Sequence, residues 1–238
     1  MKKSFLINWS AHNKLKLVLP REEFFMSKTK RNFFISLIFV TILFTVFVKI
    51  VDVKNIGVNG TSIGFGTINH FVFEIVGVNM IWYYITELLG YVSIFIAFIY
   101  VLIGFIQLIK RKSIFKVDRE IIVLGLFYIV VIFIYVFFEN VIINYRPILM
   151  NGTIEPSYPS SHTLMTICIC GSCIIINKKL FANKTKIMNI LSLFIILITV
   201  IGRLISGVHW FTDIIGGVLI SSSLLMSLYL IVNMKKSM

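Results

Sequence analysis

The sequence predicts an all-α, polytopic membrane protein, a bundle of six transmembrane helices. Three observations predict it. The chain of 238 residues is 58% hydrophobic, with a mean hydropathy of +0.95, whereas ordinary globular domains hold roughly 45–50% apolar residues. The apolar residues gather in six runs, most of them close to the ~20 residues that cross a bilayer as a helix. The cations cluster between alternate runs.

The first run covers 33–51. It follows a long polar lead and ends in Lys49-Ile-Val-Asp-Val-Lys54, with no small-residue cleavage site, so it reads as a permanent anchor and not a signal peptide. Residues 1–32 are a basic N-terminal segment, 33–233 the membrane domain and 234–238 a short tail. The loop 52–82 opens with Gly57, Gly60, Gly64 and Gly66, then turns apolar from Ile68 to Trp82. Glycine spacing predicts turns. The apolar part, ending in Trp82, Tyr83 and Tyr84, predicts an interfacial helix or an aromatic belt. Packing at the interface is its default role; roofing a site is the sharper one. Runs at 83–109 and 120–141 follow. In the loop 142–161, Asn151-Gly152 signals a turn, and Pro156 and Pro159 stop any helix from passing through. The fourth run, 162–177, is short, with room to extend toward Leu180. The runs 187–205 and 211–233 are joined by 206–210, a turn short enough for a hairpin, where Gly207 supplies backbone freedom.

Nineteen of the 23 Lys and Arg fall before Arg31 inclusive, in Lys110–Arg119, in Lys178–Lys186 or at Lys235-Lys236. With six spans all of these lie on one side. The other side holds Lys49, Lys54, Arg146 and Arg203. The positive-inside rule then places both termini in the cytoplasm and the second side outside. The net charge of +13 is therefore explained by insertion and does not point to nucleic acid, for which no soluble domain offers a binding face. Cys168, Cys170 and Cys173 all lie inside the fourth run. With no fourth ligand nearby they read as small buried hydrophobes, not as a metal site.

Ionisable residues at the edges of spans are costly and mark functional sites. Here they form three groups: Arg146-Pro147, Pro159-Ser160-Ser161-His162, and Arg203-x5-His209-x3-Asp213. Ser160 follows a proline and precedes an apolar run, so it is an N-cap candidate. The amides after it, together with Ser160 and Ser161, could cradle an anion at the helix N-terminus. Arg146 and Arg203 offer planar forks for phosphate oxygens. His209 and Asp213 are four apart and share a face if helical. The carboxylate would then hold one ring nitrogen and leave the other as nucleophile. A serine-hydrolase triad of Ser160, His209 and Asp213 lacks a Gly-x-Ser-x-Gly elbow and leaves His162 and both arginines unexplained.

These groups resemble the type-2 phosphatidic acid phosphatase family, which is similar in its site to vanadium-dependent haloperoxidases. The family pattern reads Lys-x6-Arg-Pro, Pro-Ser-Gly-His and Ser-Arg-x5-His-x3-Asp. Three positions depart: Glu139 replaces the lysine, Ser161 a glycine and Gly202 a serine. The resemblance implies that His209 becomes a phosphohistidine while His162 donates a proton to the departing lipid oxygen, with no metal and no other cofactor. It implies a lipid phosphate substrate. Undecaprenyl pyrophosphate is the first candidate, because its recycling takes place outside; phosphatidic acid or phosphatidylglycerol phosphate is the alternative. A rival of another class is a non-catalytic lipid-phosphate binding or transport protein. Glu139 is either an orienting partner of Arg146 or Arg203, or a gap whose charge is made up by a lysine such as Lys54.

Overall fold

The computed structural model describes residues 28–181 and 185–234. The basic stretch 1–27, Lys184 and the Lys235-Lys236 tail lie outside the described residues. Among the described residues seven α-helices form: α1 (Lys28–Ile50), α2 (Gly66–Val76), α3 (Met80–Arg111), α4 (Arg119–Asn140), α5 (Ser161–Leu180), α6 (Lys186–Ile205) and α7 (Phe211–Asn233). All but α2 are long and apolar enough to cross a membrane. The six-span, all-α prediction therefore stands. At 1.5 Å per residue, the 32 residues of α3 span about 48 Å. That exceeds a ~30 Å hydrocarbon core, so α3 carries its first turns beyond it.

The fourth predicted run, the short one, grows from 162–177 to Ser161–Leu180. The reason is its place. α5 is the central helix, packed by α3, α4, α6 and α7. Its most apolar window has a hydropathy of only 1.4 and is 67% buried, against 2.6 and 6% for α1. A helix that faces protein and not lipid can carry small and polar side chains that bond across helices. Asn177 does so: its side chain accepts from Tyr100 Oη at 2.5 Å and donates to Asn189 Oδ1 at 3.1 Å. Lys178 and Lys179 then close the last turn, where cations suit the helix dipole. All three cysteines are buried along this helix, and Cys173 Sγ meets the Tyr100 hydroxyl at 3.1 Å.

One end of the bundle is built from three connections that lock together. The loop after α1 pairs Lys54 with Ile63 through two backbone hydrogen bonds of 2.9 and 2.8 Å, then enters α2, the predicted interfacial helix. α2 exposes Ile68, Phe71 and Ile75 and is pinned to the start of α7. Asn69 Nδ2 donates to Thr212 Oγ1 at 2.9 Å, and Thr212 N donates back to Asn69 Oδ1 at 3.1 Å. Between α4 and α5 the chain folds into a small hairpin. Met150 and Thr153 exchange backbone hydrogen bonds of 3.1 and 2.9 Å around Asn151-Gly152. Both turn residues have positive φ, 50° and 77°, the geometry that makes Asn-Gly the favoured two-residue hairpin turn. The α6–α7 turn is tight. Gly207 has φ +64°, and a side chain there would collide with the Gly77 carbonyl. Lys49 belongs to this end, donating to the carbonyls of Ile142 and Ile143.

Candidate active site

The hairpin, the α5 N-terminus and the α6–α7 turn converge, and they bring the predicted residues together. Within the hairpin Arg146 N donates to the Glu155 carbonyl at 3.0 Å, so the two side chains stand side by side. Arg146 Nε then lies 3.1 Å from Glu155 Oε2, and Arg146 Nη1 reaches 3.5 Å from His209 Nε2. Two residues further along the hairpin, the Ser157 amide donates to the Asn144 carbonyl at 3.0 Å, which turns its own carbonyl toward His209.

That carbonyl decides the histidine's state. His209 Nδ1 lies 3.1 Å from Ser157 O. A carbonyl only accepts, so Nδ1 carries the proton and Nε2 keeps its lone pair. Nε2 points at an arginine, a donor that cannot take a proton. His209 is almost fully buried. Burial first, then the positive charges of Arg146 and Arg203, hold it well below the usual imidazole value. The ring is neutral and its bare nitrogen faces the cavity.

Asp213 stands where the spacing put it, on the same face as His209, but its role differs from the expectation. Oδ2 accepts from Trp210 N at 2.8 Å and lies 3.8 Å from His209 Nδ1. The carboxylate caps α7, and the Ser157 carbonyl takes the ring N–H in its stead. The third residue of a helix is where an acidic side chain can reach back to the cap, and that reach competes with the histidine. The side chains of Ser157 and Asn144 also face Asp213, so the carboxylate is buried among donors.

Ser160 is the N-cap of α5, as the sequence predicts. Its side chain does not cap; its Oγ accepts from Thr163 Oγ1 at 3.1 Å. Its amide donates to the Asp213 carbonyl at 3.0 Å, which ties α5 to α7. The first helical bond runs from Leu164 N to Ser160 O. The three preceding amides are the open donors of a helix N-terminus. Ser161 lines both a small cavity beside Glu139, Arg146 and His209 and a larger one of about 220 Å³ that runs past Glu87, His162, Tyr91, Ile94 and Met165.

Arg203, in the last turn of α6, is wholly buried. Nη2 donates to Glu87 Oε1 at 2.7 Å, the guanidinium lies 5.1 Å from the Tyr83 ring centre, and Nε and Nη1 have no hydrogen-bond partner. His162 Nε2 meets the same Glu87 oxygen at 3.1 Å. Gly202 precedes Arg203 where the family pattern has serine. A Cβ there would come within 2.6 Å of Thr86 Cγ2 and 3.0 Å of Trp82 Cε3, so the close approach of α3 explains the departure.

Both accounts of Glu139 fail in this arrangement. Arg146 pairs with Glu155 and Arg203 with Glu87, so Glu139 orients neither. It is exposed at the end of α4, next to Tyr135. Lys54 does not fill the gap, since its Nζ donates to Thr67 at 2.6 Å and pairs with Asp52 at 3.8 Å. Sequence reasoning missed Glu87, Glu155 and the Ser157 carbonyl. Glu87 carried a usable signal: it is the one acidic residue of the run 83–109, and an ionisable group inside a span is a site candidate. The carbonyl carried none. Among the described residues no three His, Cys, Asp or Glu side chains converge as a metal site would require.

The six-span helical membrane protein thus brings a buried neutral histidine, two arginines and a helix N-terminus together at one end of the bundle, an arrangement that can hold an anion. The model of the PAP2 superfamily matches residues 121–237, the part of the chain that carries all three motifs. Among solved structures it is similar to a transmembrane PAP2 type phosphatidylglycerolphosphate phosphatase from Bacillus subtilis. The two are 16% identical, with a TM-score of 0.58, over 82% of this chain and 93% of that one. No curated protein matches the chain.

Proposed function

We propose that the protein is a lipid-phosphate phosphatase acting at the extracytoplasmic face of the membrane through a phosphohistidine. The observation that carries the reading is the bare Nε2 of His209, turned toward Arg146 at 3.5 Å beside the open amides of α5. A phosphate held by Arg146, Arg203 and those amides would present phosphorus to that lone pair. The P–N bond forms as the P–O bond to the lipid breaks, and the lipid oxygen takes a proton from His162. Water then attacks phosphorus and gives its proton to His162, the P–N bond breaks and inorganic phosphate leaves. Arginines and amides supply the donors that grow stronger as charge spreads over the equatorial oxygens. A binding or transport protein has no use for an unprotonated buried nitrogen, which weighs against the non-catalytic reading.

The surroundings of the arginines bear on the substrate. Glu155 and Glu87 already accompany them, and Glu139 lies at the mouth. A diphosphate brings a second phosphoryl group, for which no further cation lines the site among the described residues. This favours a lipid phosphomonoester, such as phosphatidylglycerol phosphate or phosphatidic acid, over undecaprenyl pyrophosphate.

Phosphate release from a panel of these lipids by the purified protein tests the activity. Quenching the reaction with base on ³²P-labelled substrate should trap a phosphoenzyme in the parent and none in His209→Ala. Turnover by His209→Ala at the parent rate would refute the nucleophile. Sidedness is tested with cysteines at Asn151 and Lys116. The first should react with an impermeant thiol reagent in intact cells and the second only after the membrane is opened. The native cysteines are buried and give little background.

A further inference from the structure

Glu87 lies on α3, outside both the three motifs and the residues matched to the superfamily. One of its oxygens, Oε1, receives two donors: Arg203 Nη2 at 2.7 Å and His162 Nε2 at 3.1 Å. These are the residues that would hold the phosphate and protonate the leaving oxygen. Among the described residues nothing else bonds the His162 ring. Its Nδ1 is buried with no partner, so Nε2–H is the polar edge that faces the cavity, and Glu87 fixes where it points. The same face of α3 grips the ring and the guanidinium from other sides. Tyr83, one turn before Glu87, lies under Arg203. Gly90, one turn after, leaves the space that the His162 ring fills; a Cβ there would come within 2.8 Å of His162 Cδ2.

We infer that Glu87 is a positioning residue of the site, coupling the phosphate-binding Arg203 to the leaving-group acid His162 through a single carboxylate oxygen. The inference rests on the phosphatase reading above. Glu87 takes no proton and forms no bond to phosphorus. Its carboxylate is the counter-charge beside an imidazolium that must give its Nε2 proton to the lipid oxygen as the P–O bond breaks, and it leaves two Arg203 donors free for the phosphate. Both functions need the charge and the reach of this side chain. A half-buried carboxylate whose one oxygen already pairs with two site residues is more than filler.

The test uses the full-length protein in detergent and three variants, Glu87→Gln, Glu87→Asp and His162→Ala. Each is assayed for kcat and KM on a lipid phosphomonoester and on para-nitrophenyl phosphate, whose leaving group needs no acid. Orthovanadate binding is read separately by ⁵¹V NMR, which requires no turnover. Glu87→Gln should lower kcat on the lipid about 100-fold and on the nitrophenyl ester tenfold or less. It should also weaken vanadate about tenfold and add little to the loss on the lipid in His162→Ala. If Glu87→Gln does not fold, Glu87→Asp carries the test; it keeps the charge but withdraws it by one methylene, and the same order of losses is expected. Equal losses on both esters with vanadate binding unchanged would make Glu87 a structural counter-ion and overturn the inference. A gain in rate would do so too, since it would mean that the carboxylate blocks the site. A parent that binds vanadate but cleaves neither ester would refute the phosphatase reading. The weaker vanadate binding of Glu87→Gln would then still support the hold on Arg203, and unchanged binding would overturn it.

Discussion

Asp213→Asn separates two jobs that one carboxylate performs. Oδ2 caps α7 through Trp210 N at 2.8 Å and stands 3.8 Å from His209 Nδ1. The asparagine oxygen can keep the cap, so the helix should survive. What disappears is the negative charge next to a ring that becomes cationic when Nε2 takes phosphorus. A unit charge pair at that distance is worth about 4 kcal/mol at an effective dielectric of 20. With roughly half the charge developed in the transition state the loss is about 2 kcal/mol, or some 30-fold in kcat. Asparagine also turns an amide donor toward Asn144 and Ser157, which are donors themselves, and this pushes the loss toward 10²–10³-fold. The loss stays below the ~10⁴ seen where a triad carboxylate alone sets the tautomer, because here the Ser157 carbonyl sets it. The assay is kcat for phosphate release, with thermal unfolding in the same detergent as the check on the cap. Asp213→Ala, which removes cap and charge together, should lower stability by a further ~0.5–2 kcal/mol. A loss in Asp213→Asn of less than tenfold would show that the carboxylate is only a cap. A loss of 10⁴ or more would show that it holds the ring directly and that the Ser157 contact is incidental.

Glu139→Lys places the family's cation at the mouth without disturbing either arginine pair. It should keep the rate on a phosphomonoester within a few-fold and improve KM for undecaprenyl pyrophosphate; a severe loss on both would show that Glu139 is part of the working site. Gly202→Ser restores the family residue but drives a Cβ to 2.6 Å from Thr86 Cγ2. Overpacking of this kind costs about 1–3 kcal/mol, so the Tm should fall by roughly 2–10 °C, and an unchanged Tm would mean that α3 is not seated against α6. His209 is held far below the imidazole range and so stays unprotonated as pH falls. The rate of phosphoenzyme formation should therefore show no acid limb between about pH 8 and 5.5, a window across which an ordinary histidine would lose about nine-tenths of its neutral form. A tenfold fall across that window would place a protonating His209 in the reaction.

The spans and the motif residues were legible for one reason: insertion and phosphate binding both depend on residue type at a fixed spacing. The Asn151-Gly152 turn was legible because few dipeptides tolerate two positive φ values. The length of α5 was less so, because a window of hydropathy reads lipid contact, and this helix touches mostly protein. Asp213 shows a deeper limit. The i, i+4 spacing put it beside His209 correctly, yet spacing says nothing of the backbone amide at Trp210 that competes for the same oxygen. The Ser157 carbonyl could not be read at all, since every residue has one and only the hairpin decides where it points. Glu87 was within reach: the rule that picked out the arginines and histidines applies equally to a lone acid in an apolar run.

The two carboxylates beside the arginines also give the lost lysine a physical context. Arg203 is wholly buried at the end of a span, where a guanidinium without a counter-charge is expensive. Glu87 meets that cost, and Glu155 stands in the same relation to Arg146. The resting site is thus near electrical balance before any substrate arrives. A further lysine at position 139 would shift it to net positive, which suits a substrate with two phosphoryl groups. A glutamate there shifts it the other way, so binding must come from directed donors and not from a surplus of charge. Directed donors are what the geometry offers: the free Nε and Nη1 of Arg203, Arg146 Nη1 and the first amides of α5. They can surround one phosphoryl group closely, with a neutral histidine on its far side. The substitution that departs most from the family pattern is in this way consistent with the rest of the site, and both fit the proposed lipid phosphomonoester.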